Sequence, residues 1–362
     1  MRQAQYRIDR PAATTAPGGG TAPRVWALLG PKAGDNAQVL ALAGRLGLPF
    51  AVKRLAYNPL YAVPNAALGA SLASLDRARS DALAPPWPAL VIGVGRRSVP
   101  VARWIRERAG GAVRLVQIGR PRAPLGAFDL VVTTPQYRLP DRPNVARLTL
   151  PLVPARTVPA GPPPFAALPR PWIALLVGGP SGPWRLDAPA ARRLGAEASA
   201  AVRRLGGAIL ATTSRRTPAA AADALALALT APCFLHRWSP GGDNPYGAIL
   251  AAADAFAVTA DSVSMLADAV ATGRPTYLVP VPYRRRWHHG PVGADTGRLG
   301  AGGIVQAPRD LARVHEAALA AGLVLPWPPV AEVPPAGAGR ALVERETETI
   351  VARVRALMED VA

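Results

Sequence analysis

The chain is poor in the residues that staple or metallate a fold. Of its 362 residues one is cysteine, Cys233, and four are histidine. A single thiol excludes a disulfide framework and any metal site with two or more cysteine ligands. Adjacent His288 and His289, with no carboxylate or cysteine nearby in sequence, make a poor metal pair, so neither a metal nor another cofactor is expected. No stretch approaches about eighteen uncharged apolar residues, so no membrane-spanning helix is expected. Residues 1–23 carry charges among Pro, Gly, Thr and Ala and lack the apolar middle of a secretory signal. A mobile tail and a cytoplasmic location are the expectation. There is no G-x-S-x-G elbow with a Ser-His-Asp series, which argues against a hydrolase of that type. Neither G-x-G-x-x-G nor a P-loop occurs.

Lysine is also scarce. The 42 basic residues face 23 acidic ones, for a formal charge of +19, and only Lys32 and Lys53 are not arginine. With this much Ala and Pro, the skew matches the codon usage of a GC-rich genome. The arginines form no single block and no nucleic-acid motif is present, so nucleic acid is not an expected partner. A surface that attracts phosphates or anionic headgroups fits better, because the guanidinium fork matches phosphate geometry. Peripheral attachment to the inner face of an anionic membrane is the corresponding expectation.

Half of the residues are apolar, enough for sizeable cores. Short apolar runs alternate with Ala-rich stretches of helical spacing. Residues 25–30 read as a buried strand entering a loop, and 36–46 as a helix with Val39, Leu42, Ala43 and Leu46 on one face. Strands are expected at 50–55, 89–94, 113–118 and 130–133, with a helix at 99–108. A Pro-rich stretch from Pro151 to Pro171 forbids regular structure and reads as an interdomain linker. The pattern then restarts, with strands at 172–177, 208–212, 234–238, 255–259 and 276–279. Helices alternate with them at 188–205, 218–229, 246–253 and 262–272, and one more closes the chain at 341–358. Such units imply parallel strands with right-handed crossovers. The expected architecture is α/β, two Rossmann-like domains facing across a cleft. Its parts are a tail over 1–23, a first domain over 24–155, a linker over 156–170, a nucleotide-binding domain over 171–330 and a closing helix over 340–360.

Chemistry concentrates where strands end. Thr259-Ala260-Asp261-Ser262-Val263-Ser264-Met265 leads from a strand into a helix whose free N–H groups and dipole suit an anion, with Ser262 and Ser264 adding hydroxyls. The same residues also suit an ordinary helix capped by Asp261 or Ser262. Gly178-Gly179 ends the strand at 172–177. Ser214-Arg215-Arg216-Thr217 ends another, where adjacent arginines favour an anionic partner and equally suit a solvated pair. Asn244-Pro245-Tyr246 opens a further helix. In the first half, Gly34, Asp35, Asn36 and Gln38 follow the first strand, Arg96-Arg97-Ser98 the third, and Arg120 and Arg122 the fourth. This recurrence of arginine and hydroxyl loops implies a site for a phosphorylated ligand, with most phosphate contacts from the second half. A nucleotide sugar fits that description.

Taken in order, several segments resemble one family. They are Gly30-Pro31-Lys32-Ala33-Gly34-Asp35-Asn36-Ala37-Gln38, Gly95-Arg96-Arg97-Ser98, Gly119-Arg120-Pro121-Arg122, Phe128-Asp129-Leu130-Val131-Val132, Pro143-Asn144-Val145, Thr213-Ser214-Arg215-Arg216-Thr217, Asn244-Pro245-Tyr246 and Thr259-Ala260-Asp261-Ser262-Val263-Ser264-Met265. The family is that of the mitochondrial fission "elongated mitochondria" proteins and their bacterial relatives, and the resemblance spans about residues 24–325. It implies, for plant members, recruitment of a dynamin-related protein to the mitochondrial outer membrane; the bacterial members have no settled activity. More distantly, the second half is similar to GT-B glycosyltransferases, particularly the lipid-linked N-acetylglucosaminyl transferase of peptidoglycan synthesis. There a carboxylate five residues before a Gly-x-Pro holds the ribose, which implies that role for Asp268 before Gly273-Arg274-Pro275. Asp is one methylene shorter than the usual Glu. The first-domain Gly-Gly-x-Gly-Gly-His is missing, so Asp35 is left as the candidate base. The resulting expectation is a GT-B-like protein that binds a nucleotide-diphosphate sugar and acts as a metal-independent transferase on a cell-envelope or lipid-linked acceptor. The alternative is a non-enzymatic adaptor that recruits a membrane-remodelling partner, itself not identified by the sequence.

Overall fold

The computed structural model describes residues 23–155, 161–283, 309–328 and 339–359. The expectations for residues 1–22, for 156–160 of the linker and for the Arg284-to-His289 run lie outside the described residues. Two compact units divide the chain.

The amino-terminal unit runs to Pro154 and takes back the chain end from Glu344. Its elements are β1 (Val25–Leu29), α1 (Ala33–Arg45), β2 (Phe50–Arg54), a single turn α2 (Asn65–Leu68), β3 (Leu90–Val94), α3 (Val99–Arg108), β4 (Arg114–Ile118), β5 (Leu130–Thr133) and β6 (Val145–Arg147). They form one parallel sheet in the order β2-β1-β3-β4-β5-β6. Every residue of β1 is buried, as an unbroken apolar strand must be when helices cover both faces of a parallel sheet.

The carboxy-terminal unit holds β7 (Trp172–Val177), α4 (Ala188–Leu205), β8 (Ala208–Thr213), α5 (Ala219–Ala228), β9 (Cys233–His236), α6 (Tyr246–Ala252), β10 (Ala255–Thr259), α7 (Val263–Val270), β11 (Thr276–Val279), α8 (Ala312–Ala320) and β12 (Leu325–Pro326). Its parallel sheet has the order β12-β11-β10-β7-β8-β9. Helix α4 shows how local chemistry sets an element. Asp187 accepts from the Ala190 N–H at 3.0 Å, a proline stands in the first turn, and Gly206 closes the helix at φ +69°. The final helix, α9 (Gly339–Glu359), passes from this unit to the other.

Both units are thus Rossmann-like, and the α/β class read from the sequence holds. Strand β9 starts one residue before the expected 234–238 and ends two residues short of its end, and α2, β6, α8 and β12 were not expected; they are short or lack a clean period.

In both sheets the order reverses at one point. The reversal falls between β1 and β3 in the first unit and between β7 and β10 in the second. Loops leaving the carboxyl ends of such strand pairs diverge to opposite faces and leave a crevice, the usual ligand position in open α/β sheets.

Candidate functional site

At the reversal point of the carboxy-terminal unit three loops interlock. Gly178 donates its N–H to Thr259 Oγ1 at 2.8 Å, and Gly179 donates to Asp261 Oδ2 at 2.6 Å. Ser214 Oγ donates to the Gly178 carbonyl at 2.8 Å, and Thr217 Oγ1 donates to the same carbonyl. Arg216 reaches across to the Gly179 carbonyl at 2.7 Å and lies 3.3 Å from Asp261 Oδ2. The packing leaves no room for side chains on the two glycines. A Cβ on Gly178 would sit 2.0 Å from Asp261 Oδ2, and one on Gly179 would sit 2.3 Å from the Arg216 carbonyl group.

Asp261 is the centre of this clasp. Its side chain is 1% exposed, and Oδ1 has no hydrogen-bond partner among the described residues. Burial raises its carboxyl pKa above the ordinary value, against the opposing pull of the Gly179 N–H and the Arg216 guanidinium. Asp261 therefore does not cap α7, and neither does Ser262. Ser262 occupies the cap position with no side-chain hydrogen bond to the helix. The N–H groups of Val263, Ser264 and Met265 have no acceptor inside the helix, as the first turn of any helix must leave them. Ser264 is exposed and Met265 half-buried. Arg215 is exposed and pairs with no carboxylate among the described residues.

A fourth loop joins from β9. Asn244 Oδ1 accepts from the Tyr246 N–H at 3.1 Å, which turns the chain into α6. The Tyr246 hydroxyl donates to Asp268 Oδ2 at 2.8 Å on α7. The ribose position inferred for Asp268 is thus engaged by a phenol.

The first unit has its own reversal-point cluster. Asn36 folds the β1–α1 loop on itself, accepting from the Gly30 N–H at 2.9 Å and donating to its carbonyl at 2.8 Å. Ser98 is buried, and its hydroxyl donates to the Val94 carbonyl at 3.1 Å. Both residues stabilise their loops and are poorly placed to reach out. Gln38 donates to Gly34 at 3.4 Å, on an exposed face. Asp35 stands half-buried in the first turn of α1, 3.8 Å from Lys32 Nζ, with its Oδ2 4.0 Å from where a Cβ on Gly95 would lie. Arg96, Arg97, Arg120 and Arg122 gather on the neighbouring loops. Sequence reading missed the residues that hold them. These are Asn65 on α2, Tyr61 and Tyr137, all outside the two arginine loops in the chain and lying in stretches without a period.

Among the described residues no group of three or more His, Cys, Asp or Glu side chains could hold a metal ion. No described helix is long and apolar enough to cross a membrane.

The family model described as mitochondrial fission ELM1 matches residues 33–319. The chain belongs to the mitochondrial fission ELM1 family. The mitochondrial fission protein ELM1 of Arabidopsis thaliana is 31% identical over 220 residues, which cover 53% of this chain and 51% of the plant protein. The chain thus spans about half the length of that curated relative. Among solved structures, one named as a UDP-N-acetylglucosamine 2-epimerase from Listeria monocytogenes is 12% identical. It has a TM-score of 0.50 over 94% of this chain and 98% of that one. MurG of Acinetobacter baumannii is 13% identical, with a TM-score of 0.43 over 94% and 93%. With two parallel six-stranded sheets and the likeness to the Listeria structure, this member of the ELM1 family has a GT-B-like fold of two Rossmann-like units.

Proposed function

We propose that the carboxy-terminal unit binds the diphosphate of a nucleotide sugar, and that the chain serves a metal-independent glycosyl transfer to a cell-envelope or lipid-linked acceptor. The observation that carries this reading is the uncapped start of α7 at the point where strand order reverses. Three N–H groups, two serine hydroxyls and the exposed Arg215 neighbour a glycine turn too tight for any side chain. In a departing diphosphate the negative charge grows as the sugar leaves. Oriented N–H dipoles and a guanidinium meet that charge without having to reorganise. Arg216 supports the loop rather than the ligand, because its guanidinium is already held by the Gly179 carbonyl and Asp261. Asp35 is the proposed proton acceptor. The name of the Listeria protein suggests UDP-N-acetylglucosamine as the first probe.

A ligand that binds only the folded state raises stability by about 2.7 kcal/mol at a hundredfold excess over Kd. UDP or UDP-N-acetylglucosamine should raise the melting temperature, and Arg215→Ala should remove that rise. A panel of nucleotide sugars at millimolar concentration with no shift rejects the proposal. The engagement of Asp268 by Tyr246 favours a second reading, in which the fold is kept as an adaptor for a membrane-remodelling partner. Under that reading, partner capture by tagged protein persists in both Arg215→Ala and Asp35→Ala.

A further inference from the structure

Four arginines of the amino-terminal unit gather on two neighbouring loops. Arg96 and Arg97 lie on the loop after β3, and Arg120 and Arg122 on the loop after β4, beside the reversal point between β1 and β3. The two loops are fastened together. Asn65, 3% exposed, donates its side-chain amide to the Arg96 carbonyl at 2.9 Å and to the Pro121 carbonyl at 2.8 Å. The Gly95 N–H donates to the Ile118 carbonyl at 2.9 Å.

Aromatic rings and amides hold the guanidiniums. Arg97 stacks on Tyr61 with its Cζ 3.9 Å from the ring centre, and Arg120 lies 5.8 Å from that of Tyr137. Arg309 donates to Gln136 Oε1. Among the described residues Arg96, Arg97 and Arg122 form no ion pair with a carboxylate. Burial, followed by the charge of Arg122, lowers the pKa of Arg96; Arg97 adds to this. Burial, then Arg122, brings Arg120 down to about 10, with Tyr137 opposing and Arg309 adding to the fall. Arg120 therefore stays cationic at neutral pH.

We propose that this cluster is a second anion site, contained in the amino-terminal unit alone, which takes a phosphomonoester or diphosphate group through the guanidiniums of Arg96, Arg97 and Arg122. Guanidinium forks pair two-on-two with phosphoryl oxygens, and an anion placed among them relieves repulsion that folding otherwise imposes. The Tyr61 ring orients the Arg97 fork before the ligand arrives. The source of the phosphate is a soluble metabolite or a lipid headgroup, and the chemistry of recognition is the same for both. The proposal does not depend on nucleotide binding by the other unit.

Hydrogen exchange of the full chain with inorganic pyrophosphate tests it, because the readout is local. Pyrophosphate should slow exchange in Gly95–Ser98 and Gly119–Arg122, both in the parent chain and in Arg215→Ala. Arg97→Ala and Arg122→Ala should each weaken pyrophosphate binding about tenfold or more, the scale of one charge-assisted contact. Arg97→Lys keeps the charge and loses the fork, and should fall between. Unchanged melting temperatures in these variants separate lost binding from lost folding. Co-sedimentation with phosphatidic acid vesicles, but not with phosphatidylcholine vesicles, that is abolished in the Arg97→Ala, Arg122→Ala double variant assigns a lipid source. Pyrophosphate protection without such sedimentation assigns a soluble one. No protection of either loop at millimolar pyrophosphate, or protection that survives the double variant, overturns the proposal, whatever UDP does at the other unit.

Discussion

Asp261 shows how much one side chain decides. Its Oδ2 joins the Gly179 N–H and the Arg216 guanidinium, and its Oδ1 is buried unpartnered. A carboxyl whose pKa rises on folding favours the folded state most below its ordinary value, and that contribution is lost as pH climbs through the raised value. The burial-driven rise at Asp261 therefore predicts stability that falls with increasing pH from the ordinary carboxylate range upward. Asp261→Asn should be flat over that window. Thermal unfolding of both proteins across the acid range measures the difference, which should move in favour of the Asn variant as pH rises; a constant difference refutes the assignment. Gly179 offers a second measurement. A methyl group there meets the Arg216 backbone, which cannot swing aside as a long side chain would. Gly179→Ala should cost about 1–3 kcal/mol in urea unfolding.

At the scale of elements, the strands and most helices were legible. Residues 25–29 and 172–177 are unbroken apolar runs, and 255–258 is one that ends in Thr259; each is a fully buried strand. The helix over 188–205 carries its start and stop signals in Asp187 and Gly206. The start of α7 was only half legible. A small polar run before a helix marks a cap, but whether Asp261 caps or clasps depends on where Gly179 lies, 82 residues away. Helix α2 was invisible, being four residues with no period. It nevertheless positions Asn65, whose amide bridges two loops. Removing that amide in Asn65→Ala leaves two carbonyls without their donor. The expected loss is about 1–3 kcal/mol of stability, read by denaturant midpoint, since each buried hydrogen bond contributes about 1 kcal/mol.

At the scale of the molecule, charge is distributed by role. Asp129 and Asp254 pin strand starts. Asp129 accepts from the Leu115 N–H at 2.6 Å, and Asp254 accepts from the Trp172 N–H at 2.7 Å. The reversal-point loops, at the other strand ends, carry arginine. The chain also returns on itself through α9, whose Ile350, Val351, Val354 and Met358 enter the core formed by Val39, Leu42 and Ile92. Glu346 accepts from the Thr149 N–H at 2.9 Å and from its hydroxyl at 2.6 Å. Ending the chain before Glu344 should therefore loosen the amino-terminal unit. Hydrogen exchange should rise in β1, β3 and α1 while β7, β8 and β10 keep their protection; uniform exposure of both units would contradict this. Ile350→Ala alone should cost about 2–5 kcal/mol.

Hydrophobic period and turn chemistry are properties of neighbouring residues, so the parallel α/β class, the two Rossmann-like halves and the arginine-bearing loops could all be read along the chain. Strand order is not such a property. That β10 lies beside β7, and β3 beside β1, follows from long-range burial and the handedness of crossovers. Only that pairing brings Gly179 to Asp261 and sets Arg97 against Tyr61. It also turns Arg216, Asn36 and Ser98 inward as braces while leaving Arg215 at the surface. Loops far apart in the chain meet because the sheets bury their apolar faces, and no local pattern encodes which loops those will be.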